Sequence, residues 1–438
     1  MTRSEQTVIK LLRFFTAVIL ASTLAIPVAH AATETLTVYT DSGNNDQLIL
    51  TALAKAFEKA DPSIHVAFEV GPAGEASVQL VRERLAAGTM DDAFIYFSGS
   101  LFQSLNPTKY LVDLTDQPWQ LSVLPSFFPA VSVGLRNYGA PIGSAMGGGI
   151  LYNKSVYKKL HLEIPLTWSQ FMSNNAKIKK AGIVPVIQTY KDGWTSQFLV
   201  LADEYNLQAA VPNFPALYTA KKVGFSTTPA ALAGFQHLAD VHKAGYQNKD
   251  YASATLAMGL KYLVTGVGAQ YPMFTAVASN IEKDYPTLAG NIGFFALPGV
   301  SSKSNGLTMW MPTGLFISKS TEHVVAAKKF LAFAVSSLGI ASVNAVVPLT
   351  GPYMVKGIPL KGHLPNITKD MLRYVAVAGK TAPALEYVSP IKGPNLYKIT
   401  VQVGSGLLSA RAGAIAYDKD VQKELVRLGL PGWGKLPG

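Results

Sequence analysis

The feature that most constrains the fold is a switch between two apolar periods in residues 36–97. Strand-like apolar patterns occupy 36–39, 64–70 and 93–97. Between them, apolar residues fall on one face of a helix at 49–57 and again at 78–85. The third strand is apolar at every position, which is typical of a central parallel strand covered on both faces. Strand–helix–strand order at this spacing predicts an α/β sheet with parallel strands.

A second series of the same kind begins near residue 147 and continues through most of the chain. Thr167 is a candidate N-cap and Pro229 is a candidate first residue of a helix, whereas Pro185 favours an edge strand or a bulge. With 438 residues, the chain is long enough for two α/β lobes of comparable size, and we expect both to be Rossmann-like. The glycine-rich stretch 139–149 is the best candidate for a crossing between them. Further strands are predicted at 149–152, 184–187, 293–297 and 315–318, and further helices at 167–182 and 229–241.

Residues 1–31 have the pattern of an export signal. Basic residues precede an apolar run at 14–26, and Ala29 and Ala31 form a small-residue cleavage site. The run is shorter than the roughly 20 residues that span a bilayer. We therefore expect cleavage after Ala31 and a mature protein in the periplasm. The chain has no Cys, which excludes a disulfide scaffold and a lipoprotein anchored through an N-terminal Cys. The apolar stretch 330–347 is interrupted by serines and is expected to form a buried helix.

The charge pattern argues against nucleic acid as a partner. The formal net charge is +11, of which +2 belongs to residues 1–31. The basic residues are scattered and form no run of five or aromatic-interleaved stripe. We expect no nucleic-acid binding.

Motifs for catalysis and cofactor binding are incomplete in this sequence. GKT at 379–381 has Tyr374 where a phosphate loop needs glycine, and His237 and His242 are five residues apart, which places them on different faces of a helix. We expect no cofactor, no metal and no catalytic residue. One alternative stays open at this point, a secreted carbohydrate-active enzyme that pairs Asp41 with Asp192 or Glu204 across a cleft.

Polar and aromatic side chains collect at the predicted strand ends, where open α/β sheets bind ligands. Asp41 is expected to accept hydrogen bonds from sugar hydroxyls, and Trp194, Tyr271 and Trp310 are expected to stack on sugar rings. This set fits a neutral polyhydroxylated molecule. The full set of candidate binding residues is Asp41, Ser42, Asn44, Tyr96, Ser98, Met146, Tyr190, Trp194, Tyr271 and Trp310.

Six short motifs in consistent order resemble the periplasmic solute-binding proteins of ABC importers, in the sugar-binding branch that includes the maltose-binding proteins. They are GILYNK at 149–154, PLTWSQF at 165–171, GIVPV at 182–186, GNIG through LPG at 290–299, ISKS at 317–320 and AAKKFL at 326–331. The segment 266–271 departs from the family pattern, because Gln270 and Tyr271 follow GVGA. This departure leaves the contact residue in that segment open.

The resemblance implies a type II periplasmic binding protein fold, with two lobes joined by a hinge that the chain crosses three times. We expect one lobe from 32–143 and 297–343, the other from 144–296 and 344–438, and crossings near 144–148, 294–297 and 341–349. It further implies a monomer that binds a sugar between the lobes and delivers it to the transmembrane subunits of an ABC permease. An anionic sugar or another small solute stays open as cargo.

Overall fold

The structure, a computed structural model, describes residues 33–43, 45–347, 349–360 and 362–427. The predicted signal peptide with its cleavage site after Ala31, and the candidate binding residue Asn44, lie outside these ranges.

The strands form two larger sheets and one hairpin. In chain order they are β1 (Glu34–Asp41), β2 (Ile64–Gly71), β3 (Ala93–Tyr96), β4 (Ser132–Val133), β5 (Arg136–Asn137), β6 (Gly139–Ile142), β7 (Met146–Asn153), β8 (Val184–Val186), β9 (Gly268–Phe274), β10 (Ile292–Ala296), β11 (Leu307–Trp310), β12 (Thr313–Ile317) and β13 (Thr381–Pro383).

The helices flank these sheets. In chain order they are α1 (Asp46–Ala60), α2 (Glu75–Ala87), α3 (Ser100–Gln103), α4 (Pro107–Tyr110), α5 (Lys154–Lys159), α6 (Trp168–Lys180), α7 (Phe198–Leu201), α8 (Glu204–Ala210), α9 (Phe214–Thr219), α10 (Pro229–Lys243), α11 (Leu256–Thr265), α12 (Ala278–Asp284), α13 (Val324–Ala334), α14 (Ser337–Asn344), α15 (Asn366–Val375), α16 (Leu385–Val388), α17 (Leu396–Gly404) and α18 (Ala410–Arg427). Short 3₁₀ turns occupy Pro118–Ser122, Pro125–Ala130, Gly193–Gln197, Thr275–Val277, Ala289–Asn291 and Ser302–Ser304.

The first sheet has the strand order β2-β1-β3-β12-β6. β1 runs parallel to β2 and β3, as predicted, and β12 is antiparallel to β3 and β6. Both faces of β1 are buried, because Leu36 and Val38 pack with Leu53 of α1, whereas Tyr39 packs with Val81 of α2. The two helices thus cover β1 from both sides.

The second sheet has the order β13-β11-β7-β9-β8, and β10 also pairs with β7. β7 is antiparallel to β9, β10 and β11, so this sheet is mixed. β8 is its edge strand, which confirms the interpretation of Pro185. The predicted helix starts are also confirmed, since Thr167 and Gln170 form a capping box at α6 and Pro229 is the first residue of α10.

The chain passes between the two sheets three times. The first passage is 143–145, between β6 and β7, and the second is 311–312, between β11 and β12. The third is 345–365, since α13 and α14 pack with the core of the first sheet, whereas Asp370 and Tyr374 of α15 bond to backbone N–H groups of β10. The expected crossing at 294–297 is wrong, because residues 294–296 lie inside β10 and pair with β7.

The apolar stretch 330–347 forms parts of two helices rather than one. The Oγ of Ser336 accepts a hydrogen bond from the N–H of Gly339 at 3.1 Å and caps α14. α13 and α14 meet at a bend of 68°, and Phe330, Leu331 and Ile340 are buried in the core of the first sheet. In the ranges that the structure describes, no single helix is long and apolar enough to span a membrane, although this bent pair passes that test jointly.

Candidate functional site

One edge of each sheet, formed by strand ends, faces the other sheet. β1 and β3 end, and β12 begins, at one edge of the first sheet; β9 and β11 end, and β7 begins, at one edge of the second. The passages 143–145 and 311–312 are short and join these edges directly, so the edges lie close together. We call the region between these strand ends the cleft and take it as the candidate site, because α/β proteins bind ligands beyond the ends of their strands.

Four aromatic rings form a continuous surface on the second-sheet side of this cleft. We call Trp194, Phe198, Phe274 and Trp310 the aromatic platform. The ring centroid of Phe198 lies 5.1 Å from that of Phe274, 6.0 Å from that of Trp194 and 6.2 Å from that of Trp310. The Trp194 and Phe274 centroids are 5.8 Å apart. Trp194 is 39 % exposed, and Trp310 and Phe274 are partly exposed, so the platform presents aromatic surface to solvent.

The backbone of β7 holds Trp310 in this position. Trp310 is the last residue of β11 and pairs with Met146, the first residue of β7. Its indole lies over Gly148, where a Cβ would be 2.2 Å from the ring carbon Cζ3. Met146 is half-buried beside it. The platform thus depends on a glycine two positions along the neighbouring strand.

Asp41 and Ser42 lie on the first-sheet side of the cleft. Asp41 ends β1 and is 8 % exposed, and its Oδ1 accepts a hydrogen bond from the N–H of Gly43 at 2.8 Å. Ser42 is exposed. Asp46, in the first turn of α1, is 9 % exposed. Burial, together with the charge of Asp41, raises the pKa of Asp46 to about 7.

One hydrogen bond bridges the two sides at the first turn of α1. The Nδ2 of Asn45 donates to the Oγ of Ser279 in α12 at 3.1 Å, and Ser279 in turn donates to the carbonyl of Ala276. Asn45 precedes α1 without capping it through its side chain. Its amide is used instead for this contact.

Three predicted binding residues lie in the core, which corrects the expectation for them. Tyr96 is 3 % exposed and packs between Phe94 and Phe97. Tyr190 is 6 % exposed and its hydroxyl accepts from Gln247. Tyr271 is 1 % exposed, and its hydroxyl bonds to that of Thr189. Burial raises the pKa of all three phenols. Their rings face the helices rather than the cleft, and we leave them out of the site.

Ser98 lies at the second passage between the sheets. Its Oγ donates to the carbonyl of Pro312 at 2.8 Å, and the neighbouring carbonyl of Met311 accepts from the hydroxyl of Tyr387 at 3.3 Å. Ser98 is 6 % exposed. The expected sugar contact is corrected, since this hydroxyl holds the passage.

The carboxylates considered for an enzymatic pair are engaged elsewhere. The Oδ2 of Asp192 accepts from the N–H of Leu256 at 2.6 Å, at the start of α11. Glu204 is 4 % exposed in α8 and accepts from Gln208 at 2.8 Å. Burial raises the pKa of Glu204 to about 8.

Phe198 and Phe274 belong to the site but were not predicted. The sequence reasoning took Tyr271 as the end of its strand, whereas β9 continues to Phe274. Continuing the apolar run QYPMF to its last residue is the signal that would have found Phe274. Phe198 follows the 3₁₀ turn that carries Trp194, and its sequence context gives no such signal.

Solved structures with this fold include sugar-binding receptors. A chitin oligosaccharide binding protein superposes with a TM-score of 0.77 at 20% sequence identity and covers 89% of this chain and 98% of its own. The protein RafE in complex with raffinose superposes with a TM-score of 0.74 at 19% sequence identity. This match covers 89% of this chain and 99% of that protein's chain. These likenesses support the α/β fold predicted from the sequence.

Sequence comparison gives the family. The "Multiple sugar-binding protein" of Streptococcus mutans is 26% identical over 322 residues, which cover 70% of this chain and 72% of that protein. Residues 41–337 match the family model of the bacterial extracellular solute-binding proteins. This match spans both sheet edges that form the cleft. The chain therefore belongs to the family of bacterial extracellular solute-binding proteins.

Proposed function

We propose that the protein is an extracytoplasmic receptor that binds a neutral sugar, a mono- or oligosaccharide, between the two sheet edges. The observation that carries the proposal is the aromatic platform at the strand ends of the second sheet; Asp41 ends β1 in the first sheet. Aromatic faces cover the C–H surfaces of sugar rings, and a carboxylate accepts hydrogen bonds from their hydroxyls. The names of the Streptococcus mutans relative and of the raffinose-bound structure agree with this ligand class.

The acidic side chains at the first-sheet edge favour an uncharged ligand over an anionic one. Asp41 and Asp46 both lie where β1 leads into α1. An anionic sugar would place its charge against the carboxylate of Asp41 in a partly desolvated cleft, which is costly. Of the cargoes left open by the sequence, the neutral sugar is the one we propose.

Binding is proposed to close the two lobes by a hinge motion at the three passages. The lobe that holds the first sheet comprises 32–143 and the return segment from β12 through α14. The lobe that holds the second sheet comprises 144–310 and the chain after the third passage. Closure is driven by contacts that the ligand makes in the closed state only. A dissociation constant near 1 μM corresponds to about 8 kcal/mol, which a few desolvated stacking and hydrogen-bond contacts can supply.

The proposed cellular role follows from export and family. The receptor is released into the periplasm after cleavage behind Ala31, acts as a monomer and delivers its sugar to the transmembrane subunits of an ABC permease. We propose that it makes and breaks no covalent bond, because Asp192 and Glu204 are held by Leu256 and Gln208.

The test is a binding measurement on the mature chain, residues 32–438, stripped of endogenous ligand by unfolding and refolding. Calorimetry and tryptophan fluorescence are recorded with raffinose, chitin and malto-oligosaccharides, and monosaccharides. At least one sugar is expected to bind. Trp194→Ala and Trp310→Ala are each expected to lower the affinity for that sugar by about 30-fold, because a buried aromatic anchor contributes about 2 kcal/mol to the binding free energy.

Trp168→Phe is the matched control, because this tryptophan stacks on His237 at a centroid distance of 3.7 Å, outside the platform. It should leave the affinity unchanged. The proposal would be refuted if the folded protein gave neither binding heat nor a fluorescence change with any of the neutral sugars. A product of sugar cleavage in the same samples would point to the enzyme instead.

A further inference from the structure

A single buried hydroxyl connects the platform side of the second sheet to the start of β7 and to the third passage. Thr275 follows Phe274 at the end of β9 and is fully buried. Its Oγ1 accepts a hydrogen bond from the N–H of Gly147 at 3.0 Å and donates one to the carbonyl of Thr350 at 2.9 Å. Gly147 is the second residue of β7, the strand that follows the first passage, and Thr350 lies within the third. A threonine hydroxyl has one donor and two acceptor sites, so its single donor is used on the third passage.

The first and third passages are also bonded to each other. The hydroxyls of Ser144 and Thr350 lie 3.0 Å apart, and the N–H of Ala145 donates to the carbonyl of Pro352 at 2.8 Å. Gly351 permits this approach, since a Cβ there would lie 2.1 Å from the carbonyl oxygen of Ala145. The two passages therefore move as one ribbon, and Thr275 is the side chain that bonds this ribbon to the end of β9.

The residue before Thr275 belongs to the aromatic platform. The Phe274 ring contacts those of Phe198 and Trp194 at centroid distances of 5.1 and 5.8 Å. Consecutive residues share one peptide unit, so a displacement of Phe274 by a stacked ligand is transmitted to the Thr275 backbone. Because the hydroxyl is bonded to both Gly147 and Thr350, the ribbon follows that displacement.

We propose that Thr275 is a positioning residue that couples occupancy of the platform to the angle between the two sheets. The proposal rests on the proposed sugar-binding function and deepens it. Thr275 itself does not touch the ligand. Its role is to keep the ribbon in register with the platform, so that the ligand contact at Phe274 and the hinge move together.

The experiment measures closure directly. The chain has no Cys, so Lys55→Cys in α1 and Lys177→Cys in α6, both exposed, place two nitroxide labels on opposite lobes. Pulsed EPR then gives the distance between labels without sugar and at saturating concentration of the sugar identified by calorimetry. Thr275→Val, which keeps the side-chain shape and removes the hydroxyl, is expected to reduce the distance change at saturation and to weaken binding about tenfold.

Three variants separate coupling from simple stability. Thr275→Ser keeps the hydroxyl and is expected to close as the wild type does. Thr275→Ala is measured in parallel, because it leaves room for water at the Oγ1 position and remains informative if the valine variant fails to fold. Ser144→Ala removes a hydroxyl within the ribbon but keeps both bonds of Thr275, and is expected to close normally.

The outcomes distinguish this proposal from the one on which it rests. A wild-type protein that binds no sugar overturns both. A wild type that closes, together with a folded valine or alanine variant that reaches the same closed distance at saturation, overturns only the coupling. A serine variant that loses the distance change also overturns it, since that variant retains the hydroxyl.

Discussion

A methyl group on Gly148 should disturb the platform, because it would point from β7 into the ring of Trp310. The Cβ of an alanine at this position would lie 2.2 Å from Cζ3 and 2.8 Å from Cη2 of Trp310. Carbon atoms pack at about 3.5–4.0 Å, so the indole has to move by more than about 1 Å or leave its rotamer. Displacing the ring costs about 1–3 kcal/mol, the usual cost of overpacking. A displaced indole no longer continues the surface formed by Phe198 and Phe274.

Gly148→Ala is therefore expected to lower both stability and sugar affinity, the latter by about two- to fourfold if half of a stacking contact of about 1–1.5 kcal/mol is lost. Denaturant unfolding and calorimetry with the bound sugar measure the two effects. Gly290→Ala is the control, since a Cβ there meets nothing within 4 Å. If the Gly148→Ala protein binds sugar with wild-type affinity, Trp310 does not form part of the binding surface and the reasoning fails.

Two further predictions concern the carboxylates of Asp192 and Asp203. Asp192→Ala removes the acceptor for the N–H of Leu256 and should lower the free energy of unfolding by about 1–2 kcal/mol. Asp192→Asn should lower it by less. Equal stability of the alanine variant and the wild type in urea would contradict this prediction. Burial raises the pKa of Asp203 to about 8, well above that of the unfolded chain, so this group lowers stability as pH rises from about 4 to about 8, by about 1.4 kcal/mol per unit. Asp203→Asn should therefore stabilise the protein more at pH 8 than at pH 5, and unfolding curves with the same difference at both pH values would refute this.

The α/β class and the element order were predictable because burial on both faces leaves a clear apolar pattern. The strand at 93–97 has no polar residue, and the structure buries all of β3. Thr167 and Pro229 marked helix starts for local reasons, namely a side-chain cap and a fixed φ. Strand pairing was harder to predict from the sequence. Whether 293–297 pairs inside the second sheet or crosses to the first depends on contacts with β7, far away in sequence.

The binding surface was predictable only in part, because side chains along a strand alternate between opposite directions. The rule that ligands lie beyond strand ends predicts Asp41, Trp194 and Trp310 as binding residues, and in the structure Asp41 and Trp310 are the last residues of their strands. It failed for Tyr96 and Tyr271, which sit near the correct ends but point into the core. Moving one or three residues along the strand replaces an aromatic ring in the core by one on the cleft side. Sequence alone does not fix the last residue of a strand closely enough to make that distinction.

The glycine run at 147–149 shows how one sequence feature supports two explanations. It belongs to the stretch 139–149 in which the sequence predicts a crossing, and the passage 143–145 lies within that stretch, where Gly143 has a φ of +86°. Residues 147–149 lie inside β7 with ordinary strand geometry. Their missing Cβ atoms instead make room for Leu307, Trp310 and the carbonyl of Phe295, respectively. Gly147 also donates to Thr275. The run is therefore a packing requirement of β7, which lies between the strands that carry Phe274 and Trp310, and side chains at these positions would disturb the platform.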